Sequence, residues 1–130
     1  MSFPLNKAID FAEKVELALN ELSYEYLDKS FALLIEEFHE LRTGLIDKNK
    51  LEIVDGAFDV AFVAFNMAYK LLRMEYGALE ARKKTIAGFD AVCENNLSKL
   101  WEDGKPRKNE VGKIIKPDNF KPVDLKFMFE

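Results

Sequence analysis

Residues 31–68 read FALLIEEFHELRTGLIDKNKLEIVDGAFDVAFVAFNMA, and two features of this stretch decide the fold. Apolar residues recur at spacings of three and four, the period of an α-helix with a buried stripe. A break at Lys48-Asn49 separates two such runs, so the stretch reads as two helices joined by a short turn. From Ile53 to Ala68 almost every position is apolar, with Asp55, Asp59 and Asn66 as the strong polar interruptions. A helix that is apolar on every side must be covered on every side. In so small a chain a second copy covers it most simply, so a two-fold dimer is expected in preference to a monomer with a central helix.

The same spacing continues outward from this pair to about residue 100. It predicts four helices, over roughly 4–21, 28–47, 50–75 and 78–99. Pro4 suits a first helical turn, Asp28 can cap the second helix, and Gly77 can end the third. Short links favour antiparallel neighbours, so the expected fold is all-α, an antiparallel four-helix bundle with an irregular C-terminal tail. After Leu100, Asp103-Gly104, Lys105-Pro106 and Val111-Gly112 punctuate a loop or short hairpin. Its ending, with Leu125, Phe127 and Phe129 in alternation, is expected to pack onto something.

The chain has 130 residues, 48% of them hydrophobic and 32% charged, which suits one domain with a real core. The reading is a single domain over 1–130, helical to about residue 99 with a tail from 100. No run is long and apolar enough for a membrane span, and MSFPLNKAIDFAEK resembles neither a signal nor a transit peptide. A single cysteine, Cys93, makes neither an internal disulfide nor a cysteine zinc cluster, so a cytoplasmic protein is expected. The net charge of −4 and pI of about 5.2 argue against a general nucleic-acid binder, which needs excess Lys and Arg to replace phosphate counterions. The charge is uneven: residues 1–98 hold 11 Lys or Arg against 17 Asp or Glu, whereas residues 99–130 hold 8 against 6. An acidic body carries a mildly basic tail.

The acids of the body are placed with a pattern. Glu37 and Glu40 share one helix face, as do Glu52, Asp55 and Asp59, with Glu36 beside the first group. If the two helices turn back on each other at about residue 48, equal distances from the turn set Glu37 against Asp59 and Glu40 against Asp55. The four carboxylates then converge on the order of 10 Å from the turn. Carboxylates among Phe, Val and Ile repel each other and are costly to desolvate without partners. Few cations are at hand, since Arg42 lies off the face of Glu37 and Glu40 while Lys48 and Lys50 sit at the turn. A hard divalent cation answers both problems, and an all-oxygen donor set selects Mg²⁺, with Mn²⁺ as the other fit. Gly56 adds to the case, because a glycine inside a helix costs about 1 kcal/mol relative to Ala and marks close approach to the backbone. A solvated acidic face is the competing reading, stronger for Glu36, Glu37 and Glu40 than for Asp55 and Asp59. Glu36 and His39 also form one Glu-x-x-His step of the di-iron bundles, but those sites need the step twice and His39 is the only histidine. His39 therefore reads as a structural or surface side chain.

Glu36-Glu37-x-x-Glu40, followed after a short turn by Glu52-x-x-Asp55 and Asp59, resembles the acidic signature of the all-α nucleoside triphosphate pyrophosphohydrolases, the MazG-like superfamily. In the tail, Asn95-Asn96-Leu97-Ser98-Lys99-Leu100, Asp103-Gly104-Lys105-Pro106, Gly112-Lys113-Ile114-Ile115-Lys116-Pro117 and Pro122-Val123-Asp124-Leu125 are similar to the ending of phosphoribosyl-ATP pyrophosphohydrolase-like members. The resemblance covers roughly residues 30–125. It implies a Mg²⁺-dependent enzyme that cleaves a (deoxy)nucleoside triphosphate to the monophosphate and pyrophosphate, working as a homodimer or tetramer. Glu37, Glu40 and Asp59 match metal ligands, and Glu36 matches the acid that orients the attacking water. The family's Glu-x-x-Asp ending would need an acid at 56, where this chain has Gly56. The fourth ligand is therefore Asp55 in preference, with Glu52 the less certain member. Lys99, Lys113 and Lys116 could meet phosphate oxygens and Asn96 phosphate or sugar. Phosphoribosyl-ATP itself is a poorer substrate match, because Asp59 is followed by Val60, Ala61, Phe62 and Val63 instead of that enzyme's Tyr-His pair. Trp101, Phe120 and Tyr69 could stack on a base, yet packing is the simpler role for each. The alternative function is a non-catalytic helical dimer, an interaction module or degenerate family member whose acids form only a polar stripe.

Overall fold

The computed structural model describes residues 3–130. The chain is mostly helical: α1 (Phe3–Phe11), a π-helical stretch (Ala12–Glu16), α2 (Leu17–Leu19), α3 (Tyr24–Asp47), α4 (Lys50–Glu75) and α5 (Ala78–Leu97). A two-stranded antiparallel hairpin follows, β1 (Arg107–Lys108) and β2 (Ile114–Ile115), and a 3₁₀ turn over Lys126–Phe129 closes the chain. Packing divides it into two compact units, one reaching to Lys83 and one spanning Lys84–Glu130, so the division falls inside α5 rather than at Leu100. No helix among the described residues is long and apolar enough to cross a membrane.

In the first unit α3 and α4 pack against each other as an antiparallel hairpin. Lys48, in the left-handed conformation at φ 53°, closes α3, and the Asn49 side chain accepts from Glu52 N to open α4. Two glycines set the closeness of the pair. A Cβ on Gly56 would stand 3.1 Å from Leu41 Cα, and one on Gly44 would stand 3.2 Å from Glu52 Cβ and Ile53 N. The close approach predicted at Gly56 is thus the backbone of the facing helix.

Three local expectations are corrected. The second helix begins at Tyr24, four residues before Asp28, because Ser23 is its cap: the Ser23 hydroxyl accepts from Tyr26 N at 3.1 Å. Gly77 does not end the third helix by a left-handed turn; Tyr76 ends it in extended conformation. The first helix is not uniform, since Ala12–Glu16 widens into a π-helix between two α-helical pieces.

The buried apolar residues of the first unit are Ala8, Ile9 and Ala12 together with Phe65, Tyr69, Leu72 and Ala81. Phe11 meets Phe62 edge to face at 5.3 Å, which fastens the end of α1 to α4. Burial of α4 on every side is not reached within one chain: Phe58 is 69% exposed and Val54 52%. On α3, Phe31, Ile35, Phe38 and Leu45 are exposed as well, and their spacing puts them on one face.

In the second unit the ending is the 3₁₀ turn. Its buried residue is Met128, which fills the space a side chain at Gly88 would need. With three residues per turn, Met128 points inward while Phe127 and Phe129 stay exposed.

Candidate metal centre

The hairpin register brings the predicted acids together. One carboxylate oxygen from each of Glu37, Glu40 and Asp59 lies within 4.8 Å of the others, the only such group of three or more possible ligands among the described residues. Glu37 and Asp59 are half-buried between the helices and Glu40 is exposed. Glu37 Oε2 is buried and has no hydrogen-bond partner. Burial pushes the Glu37 carboxyl above its usual range, and the charges of Glu40, Asp59 and Asp55 push it further. Burying a carboxylate oxygen is costly unless a donor or cation meets it, and its neighbours here are acids. No side-chain cation of the hairpin bonds there.

Asp55 and Glu52 stand outside that triad and line an adjoining hollow of about 450 Å³ with His39, Glu40, Thr43 and Gly56. Asp55 is still near enough for its charge to act on Glu37. Glu52 belongs to the first turn of α4, where its amide is capped by Asn49. Glu36 lies on α3 beside Glu37 with an exposed side chain. An acid of the family pattern at position 56 would crowd the backbone of Leu41, its Cβ standing 3.1 Å from Leu41 Cα, so it fits only if the two helices give way. His39 is exposed on the rim of the hollow, and the hollow's mixed lining is the feature that sequence reading missed. Its signal was present: Glu36, His39, Glu40 and Thr43 are three and four residues apart on α3.

A second polar cluster lies farther along the same helix pair. Lys70, 2% exposed, donates to Glu16 Oε2 at 2.8 Å and to Ser30 Oγ at 2.9 Å. Its ammonium also stands 4.9 Å from the Tyr26 ring centre, and the Tyr26 hydroxyl donates to the same Glu16 oxygen. Arg73 and the Tyr69 hydroxyl both bond Glu13 Oε1. Burial and the Glu16 charge push the Tyr26 hydroxyl up to about 12. Tyr69, considered for base stacking, is fully buried in this cluster.

The predicted substrate-binding residues of the tail belong to the second unit. Lys99 donates to Asn96 Oδ1 at 2.8 Å, and Asn96 Nδ2 donates to the Val92 carbonyl. Lys113 closes the hairpin turn, its amide donating to Asn109 Oδ1, with Gly112 at φ 84° making that turn possible. Lys116 stands 5.1 Å from the Phe120 ring centre. Trp101 donates from Nε1 to the Ile115 carbonyl, and Arg107 covers its ring at 4.0 Å. Phe120 and Trp101 are therefore both occupied by cationic neighbours.

No family model, curated protein or solved structure matches the chain.

Proposed function

We propose that the chain is a Mg²⁺-dependent nucleotide pyrophosphohydrolase of the all-α, MazG-like type, cleaving a (deoxy)nucleoside triphosphate to the monophosphate and pyrophosphate. The observation that carries this reading is the convergence of Glu37, Glu40 and Asp59 around a buried Glu37 oxygen with no donor. Three carboxylates with an orphaned oxygen fit a hard divalent cation, Mg²⁺ or Mn²⁺, by donor type and by charge. Asp55, which lines the adjoining hollow and whose charge acts on Glu37, is the favoured further ligand, with Glu52 the less certain one. Gly56 does not count against the reading, because helix packing explains the missing acid.

Bound Mg²⁺ would supply charge neutralisation for the triphosphate and activation of a water. Glu37, Glu40 and Asp59 hold it. Glu36, exposed beside them, accepts a proton from the attacking water at a carboxylate oxygen. The assignment of Asn96, Lys99, Lys113 and Lys116 to substrate phosphate and sugar rests on the family resemblance. The exposed apolar face of Phe31, Ile35, Phe38 and Leu45, with Val54 and Phe58 on α4, supports a homodimer or larger homo-oligomer.

The test is pyrophosphate release from a panel of ribo- and deoxynucleoside triphosphates, with Mg²⁺ or with EDTA. Metal-dependent release with a monophosphate product, abolished in Glu40→Gln, is the expected result. Equal activity in that variant would overturn the assignment of the acids to the metal, and no release from any nucleotide would favour an interaction module whose acids form only a polar stripe.

A further inference from the structure

We propose that His39 and Thr43 are the hydrogen-bond donors that seat the pyrophosphate portion of the ligand beside the metal-binding carboxylates. The inference deepens the pyrophosphohydrolase reading and rests on it. It starts from the hollow next to the triad, about 450 Å³ and lined by His39, Glu40, Thr43, Glu52, Asp55 and Gly56. That volume is in the range of small-molecule sites. Three of its side chains are carboxylates, which when ionised only accept hydrogen bonds, and Gly56 has no side chain. Its backbone amide belongs to the interior of α4. The imidazole N–H of His39 and the hydroxyl of Thr43 are thus the donors in the lining.

A pyrophosphate group has the opposite inventory, since its oxygens accept and carry negative charge. Cations on the carboxylates can neutralise it but do not by themselves fix which way it lies. Donors at fixed positions do, because a hydrogen bond is directional. His39 and Thr43 are four residues apart on α3, about 5–6 Å between Cβ atoms, a spacing that lets each reach one of two linked phosphoryl groups. Both side chains are exposed, so the ligand meets them without displacing core residues. The same exposure means that their replacement leaves the fold intact.

The experiment is calorimetric titration of inorganic pyrophosphate, in excess Mg²⁺, into the full chain and into the double variant His39→Phe/Thr43→Val. The expected result is a loss of about tenfold in affinity for each donor removed. The Mg²⁺-induced rise in melting temperature should be the same in both proteins, and His39→Gln, which keeps an N–H donor, should recover most of the loss at position 39. Wild-type protein that hydrolyses nucleotides yet binds pyrophosphate no better than the double variant would overturn the assignment and leave the pyrophosphohydrolase reading standing. Wild-type protein that neither binds pyrophosphate nor hydrolyses any nucleotide would overturn both.

Discussion

The α3–α4 hairpin draws carboxylates into its surface at two levels and treats them in opposite ways. Toward the open end, Glu16 and Glu13 come in from the π-helical stretch and find Lys70, Arg73, Tyr26 and Tyr69 waiting. Nearer the turn, Glu37, Glu40 and Asp59 converge, and none of the ion pairs found among the described residues involves them. The first level is a closed account of charge, complete when the chain folds. The second is left with excess negative charge and a buried oxygen without a partner, the observation on which the proposed cation site rests. The two levels separate acids paired within the fold from acids that the proposal assigns to a ligand.

Removing a partner from the closed level should have the largest effect. Lys70→Ala strands Glu16, Ser30 and Tyr26 in a buried place and is expected to cost about 3 kcal/mol in urea unfolding, a value typical of breaking a buried pair. Gly56→Asp, which puts an acid at the family position, should cost about 2–3 kcal/mol because α4 must move away from Leu41 of α3. Gly77→Ala is its control, with nothing within 4 Å of the added Cβ.

At the open level the sign reverses. Glu37→Gln should raise the melting temperature of the metal-free protein, since it removes one of several like charges. The pH dependence follows from the upward push on Glu37. The fold favours its protonated form, so this contribution is full below the ordinary carboxylate range and is lost as pH rises through the raised value. Metal-free protein should therefore melt lower as pH climbs above about 4.5, and Glu37→Gln should flatten that slope. The smallest effect belongs to the exposed pair of Asp10 and Arg82, 2.6 Å apart. The hydrogen bond from Arg82, which also donates to Asn6, holds the Asp10 carboxyl below its usual range, so Asp10→Asn should cost little at neutral pH and nothing at a pH low enough to protonate Asp10.

The open level was the more legible of the two in the sequence. A turn at Lys48-Asn49 and a fixed rise per residue are enough to place Glu37 opposite Asp59, and the packing of Gly56 on Leu41 and of Gly44 on Glu52 and Ile53 has that register. The closed level was invisible because Glu16 and Lys70 are 54 residues apart and nothing local marks them as partners. The π-helical stretch has no periodic signature of its own, so a single helix over 4–21 was the natural reading. In the tail the apolar residues at 125, 127 and 129 were expected to do the packing, while the 3₁₀ turn buries Met128 between them. His39 looked incidental as a lone histidine, and its meaning depends on the hollow that α3 and α4 form together.

The central claim is that the open level is completed by a divalent cation, and thermal melting tests it most directly. A ligand that binds only the native state raises its stability, by about 2.7 kcal/mol at a hundredfold excess over Kd. Addition of Mg²⁺ or Mn²⁺ to metal-free protein should raise the melting temperature of the wild type and of Lys70→Ala alike, and leave a Glu40→Gln/Asp59→Asn variant unmoved. Melting that is indifferent to both metals in the wild type, or that rises equally in the double variant, would contradict the account.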